Sequence, residues 1–286
     1  MISSIARAAL AVDEADALLI TAGAGMGVDS GLPDFRGNEG FWAAYPPIAK
    51  LGHSFAQMAN PRWFHSDPTL AWGFYGHRLN LYRSTAPHAG FAGLKRWSAS
   101  CASGGFVFTS NVDGAFVRAG FADERMVECH GAIDYLQCLR RCPGIFSASG
   151  VQVDVDESTF RASGPLPSCP QCGGLARPNV LMFGDSGWDS RRTDEQEARL
   201  ARWLESLSAS AKLVIVECGA GTAIPTVRML GEQLCRRRGA TLIRINLREA
   251  EVPDGQIAFF AGAKSTLEAI DAEREQRRSQ LPRKEG

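Results

Sequence analysis

The sequence predicts an α/β fold: a doubly wound, mostly parallel sheet with a small inserted cysteine-rich module and a helical flap. Three observations carry that expectation. Short apolar runs of strand length alternate with helix-patterned segments, the pattern of a parallel sheet covered on both faces. Two glycine turns, Ala22-Gly23-Ala24-Gly25-Met26-Gly27 and Gly219-Ala220-Gly221-Thr222, each follow such a run. Residues 132–179 then break the texture, being rich in Gly, Pro and Ser and holding two close cysteine pairs.

Taken in order, the N-terminal stretch reads as an amphipathic helix, because Asp13, Glu14 and Asp16 interrupt the apolar run that a secretion signal needs. Residues 17–21 form a buried strand feeding the first glycine turn. Residues 40–85 are rich in Trp, Phe and Tyr with helical spacing, and are expected as helices beside the sheet. Buried strands are predicted at 106–109 and 125–128. The segment 132–179 offers only one short alternating piece, 151–155, and reads as a module held by something other than a hydrophobic core. Thr193 is expected to open a helix, with a capping-box spacing to Gln196. Its apolar residues Leu200, Trp203, Leu204 and Leu207 fall at i, i+3, i+4, i+7. A strand at 213–216, the second glycine turn, a helix at 226–238 and a strand at 241–245 complete the pattern. The division expected is one domain over 1–286. Its core is 1–37, 86–131 and 180–270, its flap 38–85, its module 132–179, and its charged, fraying tail 272–286.

The composition excludes several classes. The chain has 286 residues, 45% hydrophobic and 22% charged, with formal net charge +0. Bulk attraction to nucleic acid or to an acidic membrane surface is therefore not expected. A protein substrate would have to be recognised locally. No apolar run approaches the ~20 residues of a spanning helix, and a cytoplasmic location is the expectation. Of eight cysteines, Cys138, Cys142, Cys169 and Cys172 form the two pairs. The spacing is Cys-x3-Cys, 26 intervening residues, then Cys-x2-Cys followed by two glycines. Four thiolates in such pairs suit a closed, structural zinc site, and free or redox-active thiols are the alternative.

Glycines 23, 25 and 27 let a backbone approach a pyrophosphate, although a plain tight turn would look similar. A hydride-transferring nicotinamide enzyme would show Gly-x-Gly-x-x-Gly and an acid about 20 residues later. Here the third glycine position holds Val28, and no Asp or Glu occurs from 40 to 66. The run just after the loop is more distinctive: Ser30-Gly31-Leu32-Pro33-Asp34-Phe35-Arg36-Gly37. With the glycine loop, this run resembles the signature of the sirtuin family, with Met26-Gly27 at the usual Ile-Ser. The resemblance continues through Thr109-Ser110-Asn111-Val112-Asp113-Gly114, Glu128-Cys129-His130-Gly131, the cysteine pairs, Arg177-Pro178-Asn179-Val180, Phe183-Gly184-Asp185, Gly219-Ala220 and Ile245-Asn246. It spans roughly residues 15 to 270.

That resemblance implies a Rossmann-like core with a structural zinc ion and an NAD-dependent protein lysine deacylase, acting on acylated lysine. NAD is consumed: the acyl oxygen attacks the nicotinamide-bearing ribose carbon and nicotinamide leaves. His130 is then the general base on a ribose hydroxyl, a role that suits a neutral imidazole. Asn111 orders the ribose or a water, and Asp113 fixes the carboxamide. Contacts to NAD carry over to Gly23, Ala24, Gly25, Asp34, Phe35, Arg36, Ser110, Val112, Gly219, Ala220, Gly221, Asn246, Leu247 and Ala263. Phe183 and Gly184 carry over as substrate contacts. Ser110 stands where the family has glutamine, too short for the same ribose contact. Tyr75 and Arg78 share a helix face at i, i+3, resembling the subclass that removes succinyl, malonyl or glutaryl groups. An arginine snorkelling from an aromatic core helix is the plainer account. The 185–189 segment departs from the family pattern where a peptide would pair by strand addition, and Trp188 is a candidate cover for the acyl tunnel. The rival activities are ADP-ribosyl transfer or NAD hydrolysis at the same site. An NAD-sensing binding module is the non-enzymatic rival.

Overall fold

The structure, a computed structural model, describes residues 2–33, 45–50 and 52–280. Its strands in chain order are β1 (Ala17–Ala22), β2 (Gly105–Thr109), β3 (Met126–Glu128), β4 (Gly131–Cys138), β5 (Ile145–Ser147), β6 (Asp154–Asp156), β7 (Arg161–Ser163), β8 (Ala176–Val180), β9 (Leu213–Cys218), β10 (Thr241–Ile245) and β11 (Ile257–Phe259). Six of them form one parallel sheet in the order β11-β10-β9-β1-β2-β3. The chain builds outward from β1 in one direction, then crosses to β9 and builds the other way. The strand order therefore reverses between β1 and β9, which is where open α/β sheets bind their ligands.

Every residue of β1 and β9 is buried, because helices cover both faces of the sheet. Helices Ser4–Asp13, Ala89–Ser100 and Ala263–Gln280 pack one face, through Ala8, Leu94, Trp97 and Leu267. Helices Arg191–Ser206 and Thr226–Arg238 pack the other, through Leu200, Trp203 and Leu234. One charged pair interrupts this apolar packing: Arg244 of β10 lies in register with Glu217 of β9 and donates to it at 2.5 Å, both side chains being buried.

Two sequence expectations about helices change. The helix expected from Thr193 begins at Arg191, with Ser190 as its cap. Thr193 and Gln196 are used differently. Edge strand β3 leaves the Glu128 backbone unpaired on its outer side, and buried backbone groups need partners. Gln196 Oε1 accepts from the Glu128 N–H at 3.0 Å, and Thr193 Oγ1 donates to the Glu128 carbonyl at 3.1 Å. The tail expected to fray after Asp271 is helical through Gln280. Arg274 anchors it, buried against the Trp97 ring and donating to Asp13 at 2.9 Å.

The cysteine-rich module contains β4, β5 and β8 as one antiparallel sheet and β6–β7 as a hairpin. Contrary to the sequence reading, it has an apolar core, and it shares that core with the flap. Leu136, Ala148, Val153, Phe160 and Ala176 form one buried cluster with Tyr45, Trp72, Phe74 and Leu79. Helix Pro68–Ser84 is the shared wall. Its two interior glycines are there for close approach: a Cβ on Gly73 would lie 2.1 Å from the Phe160 carbonyl oxygen, and one on Gly76 2.4 Å from Val153. Leu136 and Ala176 come from β4 and β8 and the other module residues from the connections between short strands, so no periodicity announced them. Among the described residues, no helix is long and apolar enough to cross a membrane.

Candidate active site

The two glycine turns meet at the point where the strand order reverses. Gly219 takes φ +64, and a Cβ there would lie 2.3 Å from the Met26 backbone nitrogen. A Cβ on Gly23 would lie 2.8 Å from the Ala220 Cα. The turns thus pack backbone on backbone, and Gly25 N–H donates to the Gly219 carbonyl at 3.0 Å. Asn246, just past β10, clamps the second turn by donating to the Ala220 carbonyl at 2.7 Å. Above them opens a cleft lined by Gly25, Asp29, Gly219, Asn246, Leu247 and Ala263, among others. The expected cofactor residues at both turns and after β10 are therefore assembled at one place. Gly221 sits beside the Glu249 carboxylate, which accepts from both the amide and the hydroxyl of Thr222. The expected contacts Asp34, Phe35 and Arg36 lie outside the described residues.

The loop after β2 joins the same place. Asn111 Nδ2 donates to the Gly23 carbonyl at 3.0 Å, tying this loop to the first glycine turn. The Ser110 hydroxyl is turned back onto the Ala22 carbonyl at 3.4 Å. Val112 packs against the flap cluster. Asp113 is buried and accepts from Ala115 N–H at 2.8 Å, closing the turn into helix Ala115–Arg118. Burial pushes its carboxyl above the usual range, against the pull of Arg118 and Arg78.

His130 lies between β3 and β4, half-buried beside the Ser110 backbone. Burial pushes its imidazole below the ordinary histidine value, and the Ser110 backbone pulls it partly back. The ring is therefore neutral at neutral pH and able to accept a proton. The following glycine has a steric cause: at Gly131, φ +75, a Cβ would come within 2.0 Å of the Asn179 carbonyl oxygen on β8. Upstream, the grip of helix Arg191–Ser206 on Glu128, with the buried pair Arg192–Glu128 at 2.6 Å, fixes the approach to the imidazole.

Tyr75 and Arg78 are both buried in the flap. The Arg78 guanidinium donates to the Tyr82 hydroxyl and stacks 5.2 Å from the Phe74 ring centroid. Burial drives the Tyr75 phenol far above its ordinary value. Phe183 docks on the flap edge, its N–H donating to the Ala59 carbonyl at 2.9 Å and its carbonyl accepting from Asn60 at 3.1 Å. Asp185 shapes the loop that comes next. Its carboxylate accepts from Arg177 at 2.5 Å, from Met182 N–H at 3.3 Å and from Gly187 N–H at 3.2 Å. Among the described residues, the backbone groups of Gly184, Asp185 and Ser186 make no hydrogen bond. Trp188, the candidate cover for an acyl tunnel, lines a cavity with Cys138, Arg141 and Cys142 of the module.

The four paired cysteines converge, all their sulfur atoms lying within 4.8 Å of one another. A tetrahedral zinc site with Zn–S bonds of ~2.3 Å places its sulfurs roughly 3.8 Å apart, and Cys138 and Cys172 stand at 3.6 Å. Backbone amides support the sulfurs: Arg140 N–H donates to Cys138 at 3.3 Å and Gly174 N–H to Cys172 at 3.4 Å. The donor set fits zinc and leaves no open coordination position, so the site is structural in kind. The extra residue of the Cys-x3-Cys pair is absorbed where Arg141 takes φ +60.

The family model described as "Sir2 family" matches residues 23–214. The chain belongs to the Sir2 family. An Aeropyrum pernix protein named NAD-dependent protein deacylase is 31% identical over 78% of each chain. Archaeoglobus fulgidus NAD-dependent protein deacylase 1 is 29% identical over 91% of this chain and 92% of its own. A solved point mutant of a Sir2 homologue in complex with ADP-ribose superposes with TM-score 0.69 at 25% identity, covering 98% of this chain and 99% of that one.

Several residues that line or support this cleft escaped the sequence reading. Asp29 lines the cleft and accepts from Lys264 N–H at 2.7 Å, capping the last helix. Arg248 and Gly262 line it too. His88 holds the glycine loop from below, its Nε2 3.1 Å from the Met26 carbonyl while Nδ1 accepts from Gly90 N–H. A polar residue directly before helix 89–100 was the available signal for His88; Arg248 and Gly262 carried none.

Proposed function

We infer that this chain is an NAD-dependent protein lysine deacylase. The observation that carries the reading is the neutral His130, held against the Ser110–Asn111 loop at the carboxyl end of the reversal point. NAD, when bound, supplies the electrophilic ribose carbon and nicotinamide as leaving group. The chain's own residues have separable tasks. The interlocked glycine turns offer backbone N–H groups to a diphosphate at close approach. Asn111 orients the ribose side of the cleft. His130 is placed to take a proton from a ribose hydroxyl, worth roughly 10²–10⁴ in rate for such a base. The 184–186 turn lies where a peptide would add its strand in the family pattern.

The acyl class proposed is dicarboxylic, with deacetylation retained. Arg78, Tyr75 and Tyr82 bring a guanidinium and two phenols together in one buried cluster, where a charge-assisted bond to a carboxylate is strongest. A second reading, NAD hydrolysis or ADP-ribosyl transfer, is favoured by one observation: the Ser110 hydroxyl is turned onto the Ala22 carbonyl and leaves a family contact unmade.

The test incubates the purified protein with NAD and matched acetyl-lysine and succinyl-lysine peptides, following peptide mass and nicotinamide. NAD-dependent acyl loss is expected, faster for succinyl-lysine. It should disappear in His130→Ala while zinc content and NAD binding persist. Nicotinamide release with both peptides intact would establish the hydrolase or transferase reading instead. Full activity in His130→Ala would sink the mechanism.

A further inference from the structure

We propose that the cavity between the zinc turn and the substrate loop is a subsite for a carboxylate side chain of the protein substrate, with Arg141 and the Trp188 indole N–H as its donors. The proposal rests on the deacylase reading for the peptide's position, and it adds which peptides are taken.

The cavity measures about 310 Å³ and lies between Gln137, Arg141 and Cys142 on one side and Gly187, Trp188 and Asp189 on the other. It adjoins the 184–186 turn, whose Ser186 is part of its wall. A peptide bound in extended form past that turn advances ~3.3 Å per residue with side chains alternating in direction. A residue two or three positions from the acylated lysine therefore reaches the cavity.

The charges in the wall are unequally committed. Asp185 is tied to Arg177, both buried. Asp189 is tied to Arg191, which donates to it through Nε at 2.8 Å and through its terminal nitrogen at 2.5 Å. Arg141 is exposed, and among the described residues no carboxylate pairs with it. Its guanidinium stands 3.6 Å from where a Cβ on Gly187 would lie, so it reaches over the substrate loop itself. Trp188 Nε1 is buried and has no acceptor. An orphaned N–H of this kind is costly to leave unmade. A substrate carboxylate satisfies both donors at once.

Arg141 has a competing purely structural role, because a zinc ion with four thiolates carries a formal charge of −2 that a nearby arginine would offset. The experiment separates the two. Acyl-lysine peptides with Glu or Gln placed two or three residues to either side of the lysine are compared on the wild-type zinc-loaded protein, on Arg141→Gln and on Trp188→Phe. A KM about tenfold lower for the Glu member of one pair is expected, the effect of one charge-assisted bond in a half-open site. Arg141→Gln should erase that preference with zinc content and the KM for NAD unchanged, and Trp188→Phe should reduce it part-way. Equal KM values for Glu and Gln peptides in the wild type, a preference that survives Arg141→Gln, or loss of zinc in that variant would each overturn the subsite. Affinities of the same fluorescently labelled peptides, read by anisotropy, decide the question even if no peptide is deacylated, so the subsite and the deacylase reading fail separately.

Discussion

Replacing Asp185 by Asn removes one charge from a buried pair that shapes the substrate loop. The carboxylate is fully buried, and Arg177 opposite it is 2% exposed. Its two oxygens together take three donors, from Arg177, Met182 N–H and Gly187 N–H. An amide has a single acceptor oxygen. With that oxygen toward Arg177 and Met182, its NH2 faces the Gly187 N–H; turned the other way, it faces the guanidinium. The first arrangement orphans one donor and the second orphans two, and in both Arg177 keeps an uncompensated buried charge. Removing one partner of such a pair costs about 3–5 kcal/mol, and the retained bond puts Asp185→Asn near the lower end. For 286 residues an unfolding entropy of roughly 0.6 kcal/mol/K turns ~3 kcal/mol into a Tm drop of about 5 °C. Urea unfolding and calorimetry measure the loss, and kinetics with an acyl-lysine peptide measure the loop. The peptide KM should rise while NAD affinity holds, and Arg177→Gln/Asp185→Asn should be less unstable than the two single losses summed. A loss under ~1 kcal/mol would mean that solvent screens the pair as it does a surface bridge. An equal fall in NAD affinity would mean that the loop and the cleft are one unit, and either result refutes the reasoning.

Three other outcomes are expected. Metal analysis should find one zinc per chain, and Cys172→Ser, at the exposed corner of the cluster, should lose it together with several degrees of Tm; equal metal content in that variant would count against the four-thiolate site. Gly219→Ala should abolish NAD binding because its Cβ meets backbone at 2.3 Å, whereas Gly239→Ala, at the same φ of +64 with open space around it, should cost only the ~1 kcal/mol of a left-handed residue; similar behaviour of the two would mean that the turns do not interlock. Burial holds His88, His77 and His130 below the ordinary histidine value, so the unfolded chain binds their protons first as pH falls. Stability should then be full above about pH 6.5 and decline below it as these rings are forced to charge. His88→Gln should flatten that decline, and a pH profile of Tm unchanged by this variant would exclude His88 as a contributor.

The strands were legible because a parallel sheet covered on both faces demands unbroken apolar runs, and 17–21, 106–109 and 213–216 are such runs. The metal set was legible because its ligands come in two local pairs, each with its spacing on display. The helix from Arg191 shows the limit of local reading. Thr193 and Gln196 carry capping-box spacing, yet their side chains serve the edge strand β3, a partner more than 60 residues away. The module's apolar core was hidden for a related reason. Two short strands and the connections between strands supply single residues to a cluster completed by the flap, so no window of sequence contains the pattern.

By itself the sequence determined the layered α/β plan, the four thiolates and the segments that carry the glycine turns and His130, because each rests on contacts within a few residues or on side-chain type alone. Tertiary structure alone decided that Gly219 must lie against Met26, that Gly73 and Gly76 make room for the β6–β7 hairpin, that Asp185 is buried on Arg177 and that Trp188 shares a cavity wall with Arg141. These depend on distances between segments far apart in the chain. Such distances are set by which elements pack together, and steric exclusion and the cost of an unpaired buried charge act only once they do.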